Sequence, residues 1–155
     1  MKVILQRVLN ASVTVDGVCV GSCKHGYCVL VGIAPTDTQQ DMSFMAQKIV
    51  HLRVFADENG KMNKSILDIN GSMLIISQFT LLADCQTGRR PSFTGAGNPQ
   101  KAKELFDDFV HEVQSLSIPV QTGIFGADMI VHIENDGPAT FILESSSYDK
   151  NKKNN

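Results

Sequence analysis

The sequence predicts an α+β fold: an antiparallel, barrel-like sheet accompanied by two main helices. Three observations carry that expectation. Only two stretches, residues 38–52 and 99–116, repeat apolar residues at helical spacing, and they lie far apart in the chain. Most of the remainder reads as strands. An Asp16-Gly17 pair sits among the valines Val13, Val15, Val18 and Val20, the pattern of a tight β-hairpin.

Taken in order, Lys2 to Val8 reads as a first strand, and Ser12 to Val20 as the hairpin. Tyr27 to Ile33 is a continuous apolar run, as expected of a strand buried on both faces. Thr36, Asp37 and Thr38 offer N-caps to a helix whose buried side is Met42, Met45, Ala46, Ile49 and Leu52. Arg53 to Ala56 predicts a short strand, ended by the turn residues Asp57-Glu58-Asn59-Gly60. Ser72 to Leu82 is the most apolar stretch and predicts a central strand. Asp84 to Pro99, with three glycines and two prolines, predicts a long loop of the kind that carries function. Asn98-Pro99 marks the start of the second helix, with Leu105, Phe106, Phe109, Val110 and Val113 facing inward. Two further strands, near Asp128–Glu134 and Ala139–Glu144, are expected on either side of Asn135-Asp136-Gly137-Pro138. Residues 1–145 therefore read as one domain, and residues 146–155 as a disordered polar tail.

Composition narrows the function. The 155 residues are 43% hydrophobic and 19% charged, enough to bury a core. No apolar run approaches the ~20 residues needed to span a bilayer. The N-terminal apolar run is too short for a signal peptide. The expectation is a cytoplasmic protein, mature from Met1, with no membrane partner. The net charge is -2, and without the ten tail residues it is -4. Proteins that grip long nucleic acid usually carry a basic surplus, so broad DNA binding is disfavoured. Recognition of a short RNA end or a small molecule stays open.

Cys19, Cys23, Cys28 and Cys85 form no CxxC pair, and the expectation is reduced, mostly buried thiols. A zinc site from Cys19, Cys23, Cys28 and His25 matches no usual structural spacing. No metal and no cofactor are expected. His25, His51, His111 and His132 are scattered, and no nucleophile-elbow pattern supports a catalytic triad. Cys85, just past the central strand, is a weak candidate for a cysteine nucleophile.

Four groups remain as candidates for chemistry. Ser77, Gln78, Phe79 and Thr80 place polar side chains at the end of an apolar strand. They offer either a pocket floor with hydroxyls and backbone N–H donors, or a strand end facing solvent, which composition alone favours. Asn135-Asp136-Gly137-Pro138 reads as a hairpin turn; its Gly-Pro pair exposes backbone with little side-chain bulk and admits a cis bond. Arg89-Arg90-Pro91-Ser92-Phe93 pairs cations with an aromatic ring, suited to phosphate or a base, or to a plain solvated loop. Arg7, in the first strand, needs acceptors such as backbone carbonyls.

Together these stretches resemble the D-aminoacyl-tRNA deacylase family, formerly D-tyrosyl-tRNA deacylase. The resemblance runs over nearly the whole chain through Gln6-Arg7-Val8, Ala11 to Val15, Gly60 to Asn63, Ser77 to Leu81, Arg90 to Phe93, Gln121 to Gly123, Ala127 to Met129 and Asn135 to Thr140. The departures are Ala139, where the family usually has valine, and the tail after Ser145. The resemblance implies the fold of that family and a homodimer. It implies hydrolysis of the ester joining a D-amino acid to the 3'-terminal adenosine of tRNA. Ser77, Gln78, Phe79 and Thr80 would line the ester site. Gly137 and Pro138, with a cis bond, would be the chiral filter, acting on the other subunit's pocket. Arg7 would hold that turn, and Phe125 would belong to the adenine pocket. Glycine, lacking a side chain, would pass the filter. The alternative is a non-catalytic nucleic-acid-binding module on the same fold.

Overall fold

A computed structural model describes residues 1–86 and 88–145. The expected tail lies outside the described residues. Eight strands and two helices follow the order β1 (Lys2–Val15), β2 (Val18–Cys23), β3 (Gly26–Gly32), α1 (Gln39–His51), β4 (Phe55–Ala56), β5 (Met62–Lys64), β6 (Ser72–Ser77), α2 (Pro99–Ser115), β7 (Val120–Thr122) and β8 (Ile130–Glu144). A 3-10 turn, Phe79–Leu82, follows β6.

The main sheet runs β2-β1-β3-β6-β7, and β8 pairs with β1. The expected hairpin forms as one long strand turning into β2: Asp16 and Gly17 both take positive φ, 48° and 78°, which a two-residue hairpin turn requires. β1 is continuous from Lys2 to Val15, so the separate first strand of the sequence reading is its first half. That half pairs with β3 and the second half with β2, both antiparallel.

The sheet is mixed rather than antiparallel. β3 pairs with β6, and β6 with β7, in parallel. The physical reason is the pair of helices. Each lies between two of these strands, and a helical crossover returns the chain to the same end of the sheet. The sheet curls until β7 leans on β2, which makes it barrel-like. Gln121 accepts a 2.8 Å hydrogen bond from the Ser22 N–H across that seam. Gly21 permits the approach, because a Cβ there would lie 2.4 Å from the Thr122 carbonyl oxygen.

Both faces of the sheet are buried at its centre. Tyr27, Val29, Val31, Met73 and Ile75 pack toward the helices with Met45, Ile49, Phe106 and Phe109. Cys28, Leu74 and Ile76 face the other way, against Val8, Ala11 and Val13. This alternation explains why β3 and β6 are apolar without interruption. α1 starts where expected, with Thr38 and Asp41 forming a reciprocal capping box. At α2 the Asn98 side chain accepts from the N–H groups of Gln100 and Lys101, ahead of Pro99 in the first turn.

Two elements differ from the sequence reading in ways that matter for function. The central strand stops at Ser77, and Phe79 to Leu82 wind into the 3-10 turn. Asn135-Asp136-Gly137-Pro138 is not a hairpin turn. The residues on both sides of it pair with the same strand, β1: Asn135 lies opposite Val8 and Thr140 opposite Gln6. A single residue of β1, Arg7, therefore faces the stretch 136–139 of β8. The segment is a wide bulge within one 15-residue strand. A turn signal in sequence does not distinguish a reversal from a bulge.

Candidate active site

β6 delivers its polar end into a cleft. Ser77 is its last residue, and the Gln78 N–H donates to the Val31 carbonyl at 2.8 Å, which anchors the exit from the sheet. The chain then tightens into the 3-10 turn, where the Leu81 N–H donates to the Gln78 carbonyl and the Ala83 N–H to that of Thr80. The N–H groups of Phe79 and Thr80 open this turn, where the helix itself offers them no acceptor. The Gln78 side-chain amide donates to the Thr80 hydroxyl.

Ser77, Gln78, Phe79 and Thr80 all line a cleft of about 680 Å³. Its other walls are the loop before α2 with the helix's start (Ala96, Gly97, Ala102) and the segment between β7 and β8 (Phe125 to Met129). Ser77 to Thr80 thus border a cleft, and Phe79 and Thr80 are at the same time exposed, so this strand end meets both the cleft and the surface. Phe125 stands against Phe106 of α2, with ring centroids 6.0 Å apart. Among the described residues, Asp128 is the one charged side chain in the lining. Neither it nor the glycines of the lining stood out in sequence; only the stretch Ala127-Asp128-Met129 pointed there. The cleft is a largely apolar hollow with polar groups gathered at the β6 end, a form suited to a small organic moiety.

None of the four histidines lines this cleft, and all four are exposed. Cys85 is exposed and outside the lining. Cys19 is exposed too, contrary to the expectation from its valine neighbours. Cys23 and Cys28 are buried, and burial pushes the Cys28 thiol up to about 12, so it stays protonated. Among the described residues no group of three or more His, Cys, Asp or Glu side chains is placed to hold a metal, the Cys19–Cys23–Cys28–His25 set included. No helix of the described residues is long and apolar enough to cross a membrane.

Arg7, Gly137 and Pro138 form a second, separate place. The Gly137–Pro138 bond is cis, Gly137 has φ 118°, and both residues are exposed at the crest of the β8 bulge. Arg7 supports the bulge from below. Its Nη1 donates to the Val54 carbonyl at 2.6 Å, the backbone acceptor the sequence called for. Its Nε lies 2.9 Å from Asp136 Oδ2, an electrostatic contact without hydrogen-bond alignment, since the buried Nε–H points at no acceptor. Asn135 ties the base of the bulge by donating to the Arg7 carbonyl at 2.8 Å. Neither Arg7 nor any residue of the bulge lines the cleft of its own chain.

The D-Tyr-tRNA(Tyr) deacylase family model matches residues 4–144. The chain belongs to this family of enzymes. A D-aminoacyl-tRNA deacylase of Sulfurihydrogenibium sp. is 57% identical over 94% of this chain and 98% of its own length. The protein of the same name from Thermosipho africanus is 49% identical over 94% of this chain and 97% of the relative. Among solved structures, one described as c-Myc DNA Unwinding Element Binding Protein superposes with a TM-score of 0.88 at 42% identity, covering 93% of this chain and 98% of that one. A probable eukaryotic D-amino acid tRNA deacylase superposes with a TM-score of 0.77 at 18% identity, covering 92% and 97%, which shows the shared fold. The deacylase family membership thus covers both the cleft and the bulge.

Proposed function

We propose that the protein hydrolyses the ester of D-aminoacyl-tRNA, releasing the free D-amino acid and the tRNA, and that the cleft beside the β6 end holds the ester. The observation that carries this reading is the convergence of Ser77, Gln78, Phe79, Thr80 and Phe125 on one cleft in a chain of the deacylase family. The substrate is an aminoacyl ester, already activated, whose neighbouring ribose hydroxyl can assist attack by water. The protein's work is then to place the ester and to stabilise the oxyanion that develops on its carbonyl. The backbone N–H groups of Phe79 and Thr80 are the donors for that oxyanion. The cleft holds no histidine, which suits a reaction that asks for little side-chain acid–base chemistry. Phe125 flanks the terminal adenine.

Gly137 and Pro138 act as the chiral filter. They lie outside their own chain's cleft, so the filter works on a second copy, in a homodimer. Their exposure at the crest of the bulge leaves them available for that role. A backbone wall rejects an L side chain and leaves room for a D side chain. Glycine has no side chain to reject and is hydrolysed as well, so glycyl-tRNA is a second substrate. Arg7 positions the filter. The protein works in the cytoplasm, where aminoacyl-tRNA is found.

Release of D-tyrosine from D-Tyr-tRNA, with L-Tyr-tRNA left intact, is the result expected. Release no faster than in buffer would overturn the reading and favour a non-catalytic nucleic-acid-binding module, a possibility kept in view by the name of the 42% identical structure.

A further inference from the structure

The cleft accounts for one nucleoside and its ester, but the structure carries more recognition chemistry at its mouth. Phe79 lines the cleft and is nevertheless 55% exposed. Phe93, which does not line it, packs edge-on against Phe79 with ring centroids 5.3 Å apart and is itself 43% exposed. Two large aromatic rings thus continue from the cleft onto the surface.

The loop that presents Phe93 is tied down. Asp84 and Ser92 exchange both backbone hydrogen bonds, at 2.8 and 2.9 Å, and the Ala96 N–H donates to the Phe93 carbonyl at 3.0 Å. Arg89 and Arg90, shortly before Ser92, are both exposed. Among the described residues neither has an ion-pair partner. In a chain of net charge -2, Arg89 and Arg90 precede Phe93 by only four and three residues, and Phe93 belongs to an exposed aromatic pair with Phe79. A ring for stacking next to unpaired arginines is the combination that recognises a single-stranded nucleotide, base on ring and phosphate on guanidinium.

We infer that Phe93, with Arg89 and Arg90, forms a second subsite for the nucleotide preceding the terminal adenosine of an RNA 3' end. This rests on the deacylase reading of the cleft, which fixes where the terminal adenosine lies. The base of the preceding nucleotide stacks on Phe93, and its phosphates meet the arginines. The device is indifferent to sequence, since every base offers a face to stack on.

The test compares adenosine with the trinucleotide CpCpA in equilibrium binding, and D-Tyr-adenosine with D-Tyr-CpCpA in hydrolysis. Wild type should favour each trinucleotide by about tenfold or more. In Phe93→Ala and in Phe93→Leu, which keeps an apolar contact with Phe79, the trinucleotide-to-nucleoside ratio should fall severalfold. Arg89→Ala combined with Arg90→Ala should lower the same ratio and flatten its dependence on salt. Because each variant is scored by a ratio, a general loss of folding or chemistry cancels. A ratio unchanged in all three variants overturns the subsite. If wild type hydrolyses neither ester, the deacylase reading fails, and the binding ratio still decides the subsite.

Discussion

The cleft and the Gly137-Pro138 bulge are built on opposite principles. The cleft is recessed and mainly apolar, assembled from the β6 end, the loop before α2 and the segment before β8. The bulge is exposed at its crest, formed by β8 against β1, and held by Asn135, Asp136 and an Arg7 that also reaches the Val54 carbonyl. One place offers space for a ligand and the other offers a rigid shape with no space of its own. On the proposed reading, chemistry and stereochemistry are divided between them, and the two meet only when a second copy of the chain brings its bulge to the cleft. Substitutions in the bulge should then abolish activity although the cleft of the same chain is untouched.

The largest effect is expected at Gly137. A Cβ there would stand 3.0 Å from both Arg7 Nη2 and the Ala139 nitrogen, on a backbone with φ 118°. An L side chain is strained at that angle. Gly137→Ala should reduce single-turnover hydrolysis of D-Tyr-tRNA at least about 100-fold, the scale of an ångström-level misplacement of a positioning group. Circular dichroism should be unchanged. Wild-type rates in this variant would place the filter elsewhere.

A smaller loss is expected at Asp136. Asp136→Asn removes the carboxylate 2.9 Å from Arg7 Nε and leaves the bond from Nη1 to the Val54 carbonyl. Roughly tenfold slower D-Tyr-tRNA hydrolysis is expected, in keeping with the loss of one partner of a half-buried charge pair. The D-to-L rate ratio should fall with it. A rate loss with an unchanged ratio would make Asp136 a stability residue only.

The cleft gives the smallest effect at the position that looks most chemical. Thr80→Ala removes a hydroxyl but keeps the backbone donors of the 3-10 turn. Activity should drop by less than about tenfold, whereas loss of a true acid–base group typically costs 10²–10⁴-fold. A fall of several orders of magnitude in kcat would instead support Thr80 as nucleophile.

The same division explains what the sequence made legible. The helices were plain because Met42, Met45 and Ile49, or Leu105, Phe106 and Phe109, repeat at helical spacing behind good caps. The hairpin was plain because Asp16-Gly17 is a local signal. Strand direction was not, since parallel pairing of β3 with β6 depends on where a helix returns the chain and leaves no mark on either strand. The end of β6 leaves no local mark, because Phe79-Thr80-Leu81-Leu82 suits a strand as well as a 3-10 turn. Asn-Asp-Gly-Pro carries the turn chemistry of a reversal, while its true setting is fixed by β1, some 128 residues away at the Asn135–Arg7 bond. Ser77 to Thr80, Phe125, Arg7 and the Gly-Pro pair could be named through their motifs. The family resemblance also implied that the Gly-Pro pair serves another subunit's pocket; no motif taken alone carries that division, because separation in space is a property of the folded chain.

Mixing two crippled chains tests the division most directly. Gly137→Ala spoils the bulge and keeps the cleft, whereas Ala96→Trp fills the cleft and keeps the bulge. Each variant alone should be nearly inactive on D-Tyr-tRNA. After the two are unfolded together and refolded as a mixture, mixed dimers contain one intact cleft facing one intact bulge. Hydrolysis should then return to a substantial fraction of the wild-type rate, and sedimentation should show dimers. A mixture that stays as inactive as its components, beside a wild-type chain that sediments as an active monomer, would contradict action of the bulge across two copies.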